Sequence, residues 1–259
     1  MIEIKDLRIS FEQGEVLHGL SGIFREGLCN LIIGRSGSGK TVLMNCIVGL
    51  LTPDSGEILY DGRSFGAMTG REQRLLRREM GMLFQGSALF DSMSVEDNVA
   101  FPLDMFSSLS YKDRRRRAHE CLDRVGLNGS ADKMPEELSG GMKKRAAIAR
   151  AIALNPRYLF CDEPNSGLDP QTSLLIDELL HSLTHEHNMT TLINTHDMNS
   201  VMGIGENIIY INQGNKAWEG RSSDIMEHGN QDLNDFIFAS DTARQMRALL
   251  EHHAAELKH

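Results

Sequence analysis

No stretch of this sequence approaches the ~20 consecutive apolar residues that a membrane-spanning helix needs. Any action on a membrane is therefore expected to pass through a partner that spans it. The start, MIEIKDLRIS, lacks a cationic segment followed by an apolar run, so no secretory leader is expected. Cysteine is sparse: Cys29, Cys46, Cys121 and Cys161 form no CxxC pair. Their irregular spacing reads as free, mostly buried thiols in a reducing compartment. Positive charge is in deficit, with 27 Lys+Arg against 36 Asp+Glu and a formal net charge of -9. That balance argues against nucleic acid as the main partner, because duplex binding usually needs a basic face. Internal repeats, low-complexity tracts and long linkers are missing too. What remains is ordinary for a globular chain, with 41% hydrophobic and 24% charged residues over 259 positions, enough for one or two compact domains.

Strand and helix patterns alternate along the chain. Ile2, Ile4, Leu7, Ile9 and Phe11 alternate in strand fashion, and a second short strand is expected over Val16 to Leu20. LCNLIIG (28–34) is a continuous apolar run of the kind a buried parallel strand shows, feeding a glycine-rich turn and a helix through TVLMNCIVGL. EILYDG and MGMLF (80–84) also read as strands. From about 86 to 153 the pattern turns helical, in VEDNVAFPL, YKDRRRRAHECLDRVG and SGGMKKRAAIARAIA. Strand, helix, strand then resume with RYLFCD (157–162), a helix over 170–186, TTLINT (190–195) and NIIYIN (207–212), and NQGN turns into KAWEG. The expected class is α/β, a mostly parallel sheet with an antiparallel β part and an inserted helical subdomain. The chain divides at 1–227 and 228–259. The second part is a helical tail with Met246, Leu249, Leu250 and Leu257 near one face, packed on its own domain or on a neighbouring subunit.

Three motifs carry chemistry. Gly34-Arg35-Ser36-Gly37-Ser38-Gly39-Lys40-Thr41 matches GxxxxGK[ST] in full, between a buried strand and a helix. Its glycines let backbone N–H groups turn inward around phosphate oxygens, and the helix N-terminus adds partial positive charge. Lys40 is expected to reach the β- and γ-phosphates and Thr41 to offer its hydroxyl to Mg²⁺. Second, RYLFC ends in Asp162 and Glu163. The first is placed to serve a metal through a water, the second to polarise an attacking water. Third, Leu138-Ser139-Gly140-Gly141-Met142 opens a helix, where Ser139 can serve as an N-cap or, with the glycine amides, as an anion grip.

In this order the three motifs resemble the ABC ATPase family. The resemblance implies a P-loop NTPase core of the ABC ATPase fold and hydrolysis of ATP with Mg²⁺. It also implies that Ser139, Gly140 and Gly141 act in trans on ATP held by a second copy, so that the chain works as a homodimer. By the same resemblance Gln85 is the Q-loop glutamine, which contacts Mg²⁺ or the lytic water. Ser166 to Asp169 form the D-loop, His196 touches the γ-phosphate, and Phe11 stacks on adenine, although a core role for Phe11 stays open. Thr41, Gln85 and Asp162 are the expected metal contacts. Met142 departs from the usual Gln and Gly167 from the commoner Ala, which would loosen the D-loop turn.

The segments LFQGSALFDSMSVEDNVAFPL (83–103) and LSGGMKKRAAIARA (138–151) are similar to the ATPases of MCE-associated, Mla-type lipid transporters. This implies a separate integral-membrane permease and an MCE-domain lipid-binding protein as partners. It also implies a place at the cytoplasmic face of the inner membrane and phospholipid as cargo. An amino-acid or lipoprotein transporter and a soluble assembly ATPase remain as alternatives. In this family the region after Gln85 forms a groove for a permease helix, with Leu89 or Phe90 facing it and Val95 and Val99 inward. The run Arg114 to Arg117 reads as a solvated helix face rather than an anion-binding patch, with Arg116 paired to Glu120.

Overall fold

The computed structural model describes residues 1–225 and 231–237. β1 (Ile2–Phe11) and β2 (Gly14–Phe24) form an antiparallel ribbon, followed by β3 (Cys29–Ile33) and α1 (Lys40–Ile47). Next come β4 (Ser55–Tyr60), β5 (Arg63–Ser64), α2 (Gly70–Arg78) and β6 (Met80–Leu83). Three helices follow, α3 (Val95–Phe106), α4 (Tyr111–Arg124) and α5 (Gly140–Ile152). The chain returns with β7 (Tyr158–Asp162), α6 (Pro170–Glu186), β8 (Thr190–Thr195), α7 (Met198–Ile204), β9 (Asn207–Asn212), β10 (Asn215–Gly220) and α8 (Gln231–Ile237).

The strands form two sheets, one in the order β2-β1-β4-β5 and one in the order β10-β9-β3-β8-β7-β6. Pairing is antiparallel throughout the first. In the second, β9, β3, β8, β7 and β6 run parallel and only the β9–β10 hairpin is antiparallel. β3 explains why the core has two faces. Leu31 and Ile33 enter the cluster beneath the helices, and Ile32 enters the cluster shared with the antiparallel sheet and α1. Parallel alignment also sets the loops after β3, β6, β7 and β8 on one edge, where ligands of open α/β sheets bind.

The structure departs from the sequence reading in several places. β2 runs from Gly14 to Phe24, well beyond Val16 to Leu20, and its pairing with β1 is interrupted by register shifts. The first helix of the insertion starts at Val95, as the VEDNVAFPL segment predicts, but runs on to Phe106; Ser87 and Ala88, in the loop before it, take φ of +63° and +49°. α2 has no apolar stripe to announce it, since Leu76 alone is buried, but a Thr69–Glu72 capping box starts it. The arginine run is solvated only at Arg116. Arg114 pairs with Asp104 at 2.7 Å and Arg115 with Asp97 at 2.7 Å, and Arg117 donates to Asn155 Oδ1 at 2.6 Å. In the tail, α8 buries Leu233 and Ile237 and stacks Phe236 on Tyr210 at 5.3 Å, so this part packs on its own chain. Met246, Leu249, Leu250 and Leu257 lie outside the described residues.

Candidate functional site

The phosphate loop is shaped by close approach. Gly34 sits where a Cβ would fall 2.3 Å from the Ile211 carbonyl oxygen, and Gly39 holds φ +104° as the residue before α1. Helices α2 to α6 each begin with a side chain accepting a backbone N–H, from Thr69, Ser94, Ser110, Ser139 and Asp169. α1 has no side-chain cap. Its N-terminal amides and the positive end of its dipole are left for an anion. Ser38 Oγ is buried with no hydrogen-bond partner, an orphan that a phosphate oxygen would satisfy. Lys40 Nζ folds back over the loop, donating to Gly34 O at 2.8 Å and Arg35 O at 3.1 Å. Burial lowers the Lys40 pKa from the ordinary lysine value, against the opposing pull of Glu163 and Asp162.

Register brings the acids and the histidine together. β7 and β8 pair in parallel with Asp162 opposite Asn194, so the residues just past each strand, Glu163 and His196, emerge side by side. Glu163 takes φ +48°, a conformation sparsely used by non-glycine residues, while its amide donates to Asn194 O at 3.0 Å. His196 Nδ1 lies 2.8 Å from the Glu163 carboxylate. Asp162 accepts from Asn194 Nδ2 at 3.0 Å. Gln85, past β6, donates through Nε2 to Ser166 Oγ at 3.4 Å, joining the loop after β6 to the loop after β7. Arg35, Ser36, Gly37, Gly39, Lys40, Thr41, Gln85, Glu163 and His196 line one cavity of about 780 Å³.

Ser139, Gly140, Gly141 and Phe11 are not among the residues lining it. Among the described residues lining this cavity, none comes from the 138–142 motif. Ser139 is exposed at the start of α5, where its Oγ accepts from Met142 N at 3.3 Å. Gly141 also packs helices: a Cβ there would meet Thr172 Cγ2 at 2.5 Å. Phe11 is 46% exposed at the end of β1, outside the core and outside the cavity lining. Gly167 holds φ +79°, so glycine relieves the turn before α6 of the strain a Cβ would bring there.

Sequence reading missed two contributions. Lys144 on α5 is 4% exposed and donates to the carbonyl oxygens of Gln85 and Glu163, the latter at 3.3 Å. Desolvation lowers its pKa from the ordinary lysine value. Arg150, on the same helix, donates to Ala88 O at 2.7 Å and Ser87 O at 2.8 Å. The signal was helical spacing, since Lys144 falls four and eight residues before the buried Ile148 and Ile152. The second contribution is α8, whose Phe236 and Ile237 close one side of the cavity. Nothing local in the sequence places them there.

Residues 17–166 match the family described as ABC transporter. The methionine import ATP-binding protein MetN of Rhizobium johnstonii is 40% identical over 85% of this chain and 61% of its own length. The chain thus spans about three fifths of that relative. The intermembrane phospholipid transport system ATP-binding protein MlaF of Haemophilus influenzae is 40% identical over 90% of this chain and 88% of its own. Among solved structures, the dimeric ATP-binding cassette MJ0796 bound to ADP and Pi matches with a TM-score of 0.78, 34% identity and coverage of 86% of this chain and 99% of that one. CbiO1 of Clostridium perfringens, part of the ABC transporter complex cbiONQ, matches with a TM-score of 0.82, 28% identity and coverage of 96% and 98%. The chain belongs to the ABC transporter family and has its ATPase fold. It is an ABC ATPase, whose substrate is ATP taken with Mg²⁺. The donors at hand fit that metal: a threonine hydroxyl, a glutamine amide oxygen and a carboxylate are hard oxygen ligands.

Proposed function

We propose that two copies of this chain close around two Mg-ATP and drive a separate permease that moves phospholipid between bacterial membranes. The observation that carries the paired mechanism is the split site. One cavity gathers the phosphate loop, Gln85, Glu163 and His196, while Ser139 and Gly140 are exposed at another helix end. A solvent-facing anion grip of that kind would be completed by a second copy, and the similar MJ0796 cassette is dimeric. Lys40 and the α1 amides would hold the terminal phosphates and stabilise the charge that spreads over them in the transition state. Glu163 would orient the attacking water, His196 would hold both Glu163 and the γ-phosphate edge, and Phe11 would stack on adenine. Mg²⁺, when bound, neutralises phosphate charge; Thr41, Gln85 and Asp162 would hold it.

An apolar groove supports docking to a permease. Met80, Met82, Phe84, Phe90, Phe101 and Phe106 line a cavity of about 490 Å³, with Phe84 and Phe90 41% exposed and Phe106 47% exposed. Buried Asn98 secures the loop that presents Phe90, accepting its N–H at 2.8 Å and donating to its carbonyl at 3.1 Å. Leu89 instead packs on the core, as do fully buried Val95 and Val99. Exposed aromatic clusters of this kind mark partner sites. Among the described residues no helix is long and apolar enough to cross a membrane.

Phospholipid as cargo rests on the likeness of residues 83–103 and 138–151 to Mla-type ATPases and on the MlaF relative. It carries with it an MCE-domain partner and a cytoplasmic position at the inner membrane. Methionine import is the second reading, favoured by the equally identical MetN relative. The deciding experiment is purification of the chain with its permease, followed by transfer of fluorescent phospholipid between vesicles and uptake of labelled methionine. ATP-dependent lipid transfer without methionine uptake is expected. Methionine uptake alone would overturn the lipid reading.

A further inference from the structure

Away from the nucleotide cavity, three side chains converge. His181 and His185 lie one turn apart on α6, and Glu206 lies between α7 and β9. His185 Nε2 is 3.1 Å from His181 Nε2 and 3.2 Å from a Glu206 carboxylate oxygen. One ligand atom from each residue falls within 4.8 Å of the other two. A single Nε2–H cannot point at two acceptors in different directions, so hydrogen bonding alone leaves one of these contacts unserved. A cation between the three atoms serves all of them. Ligands about a tetrahedral zinc at ~2.0–2.1 Å stand roughly 3.3 Å apart; the His181–His185 and His185–Glu206 separations of 3.1 and 3.2 Å match this, and the His181–Glu206 pair, within 4.8 Å, would close onto the ion.

The set is also held in place. Histidines at i and i+4 project from the same face of a helix. The Glu206 carboxylate accepts the backbone N–H of Cys29 at 2.8 Å, an outer contact of the kind that orients a metal-binding carboxylate. Glu206 keeps 29% side-chain exposure and His185 41%, enough for an ion to enter. Two imidazoles and one carboxylate form a borderline ligand set that suits Zn²⁺ rather than Mg²⁺.

We propose that His181, His185 and Glu206 form a three-ligand Zn²⁺ site with water in the fourth position. The ion braces the last turns of α6 against the starts of β3 and β9. Cys29 begins β3 and the phosphate loop follows its far end at Ile33, so the site is separate from the nucleotide cavity.

The test uses the tag-free full-length chain, cleared of metal by chelator and titrated with ZnCl₂ without nucleotide. Calorimetry and melting temperature are read in parallel. Saturable binding of one Zn²⁺ per chain is expected, with a melting temperature raised by several degrees as binding to the folded state requires. Affinity is expected to fall at least about tenfold in His181→Ala/His185→Ala and in Glu206→Gln, a loss of ~1.4 kcal/mol or more. His187→Ala, on the same turn but outside the cluster, keeps wild-type affinity. Glu206→Gln retains an oxygen for the Cys29 N–H, so its loss reports the ligand and not the fold. Mg²⁺ at millimolar concentration leaves the Zn²⁺ isotherm unchanged. Absence of Zn²⁺ binding in the wild-type chain overturns the proposal. Equal affinity in the wild type and the double variant also overturns it, by assigning the ion to other histidines.

Discussion

His196 Nδ1 stands 2.8 Å from the carboxylate of Glu163, although 33 positions separate them in the chain. The contact follows from parallel pairing of β7 with β8, which sets Asp162 opposite Asn194 and releases both side chains at the same sheet edge. Glu163 reaches it through a left-handed backbone turn at φ +48°. Such strain persists where surrounding contacts over-determine it, and here the hydrogen bond from the Glu163 N–H to Asn194 O and the one from Lys144 Nζ to Glu163 O do so.

Glu163→Gln is expected to bind ATP and to lose turnover by about 10²–10⁴-fold, the scale of a positioned base. Without hydrolysis the two-copy state accumulates. Light scattering with ATP should show a stable dimer, and normal phosphate release by the variant would remove Glu163 from its proposed role.

Trans completion predicts an asymmetric rescue. Ser139→Arg and Lys40→Ala chains should each be nearly inactive as homodimers. Mixed, they form one intact site from the wild-type phosphate loop of the first and the wild-type signature of the second. Activity in the mixture should approach half the wild-type rate per heterodimer, measured as phosphate release across mixing ratios. Mixtures no better than the separate variants would contradict the model.

Lys144 is expected to act on geometry and not on affinity. Lys144→Met leaves the Gln85 and Glu163 carbonyls without their shared donor, and kcat should fall about tenfold with KM for ATP little changed. Lys144→Arg should recover most of the loss because it restores a cationic donor. Steady-state kinetics separates the two effects; an unaltered kcat in Lys144→Met would leave the residue a packing role only.

Buried thiols make the fold alkali-sensitive. Desolvation pushes Cys29 up to about 12 and Cys46 and Cys121 up to about 11, from an ordinary 9.0. The folded chain keeps protons that the unfolded chain releases above pH 9. Stability from these groups is whole below pH 9 and is lost as pH rises toward 11–12. Urea midpoints at pH 8, 9.5 and 10.5 should fall in that order. All four thiols are buried, so a disulfide reagent should titrate them only after denaturation.

Much of the fold was written locally. The run from Cys29 to Ile33 announced a strand buried on both faces, and the glycine spacing from Gly34 to Thr41 announced an anion cradle, because phosphate binding needs backbone amides and leaves little choice of residue. The Gln213–Gly214 turn, with φ of +47° and +73°, was equally legible as a tight hairpin. Patterns of this kind depend on neighbours in the chain.

Other features depended on elements distant in sequence. That His196 meets Glu163 required the strand order, which no local spacing encodes. Lys144 became a link between Gln85 and Glu163 only when α5 packed beneath both loops, and Phe236 joined the cavity only when α8 docked on Tyr210. The arginine run looked solvated until Asp97 and Asp104 on α3 and the carbonyls at the end of α5 were brought against it. The sequence by itself determined which groups can bind phosphate and polarise water, since that is a property of residue type and short-range geometry. Tertiary structure alone decided which groups share a site, because strand register and helix docking are long-range packing choices.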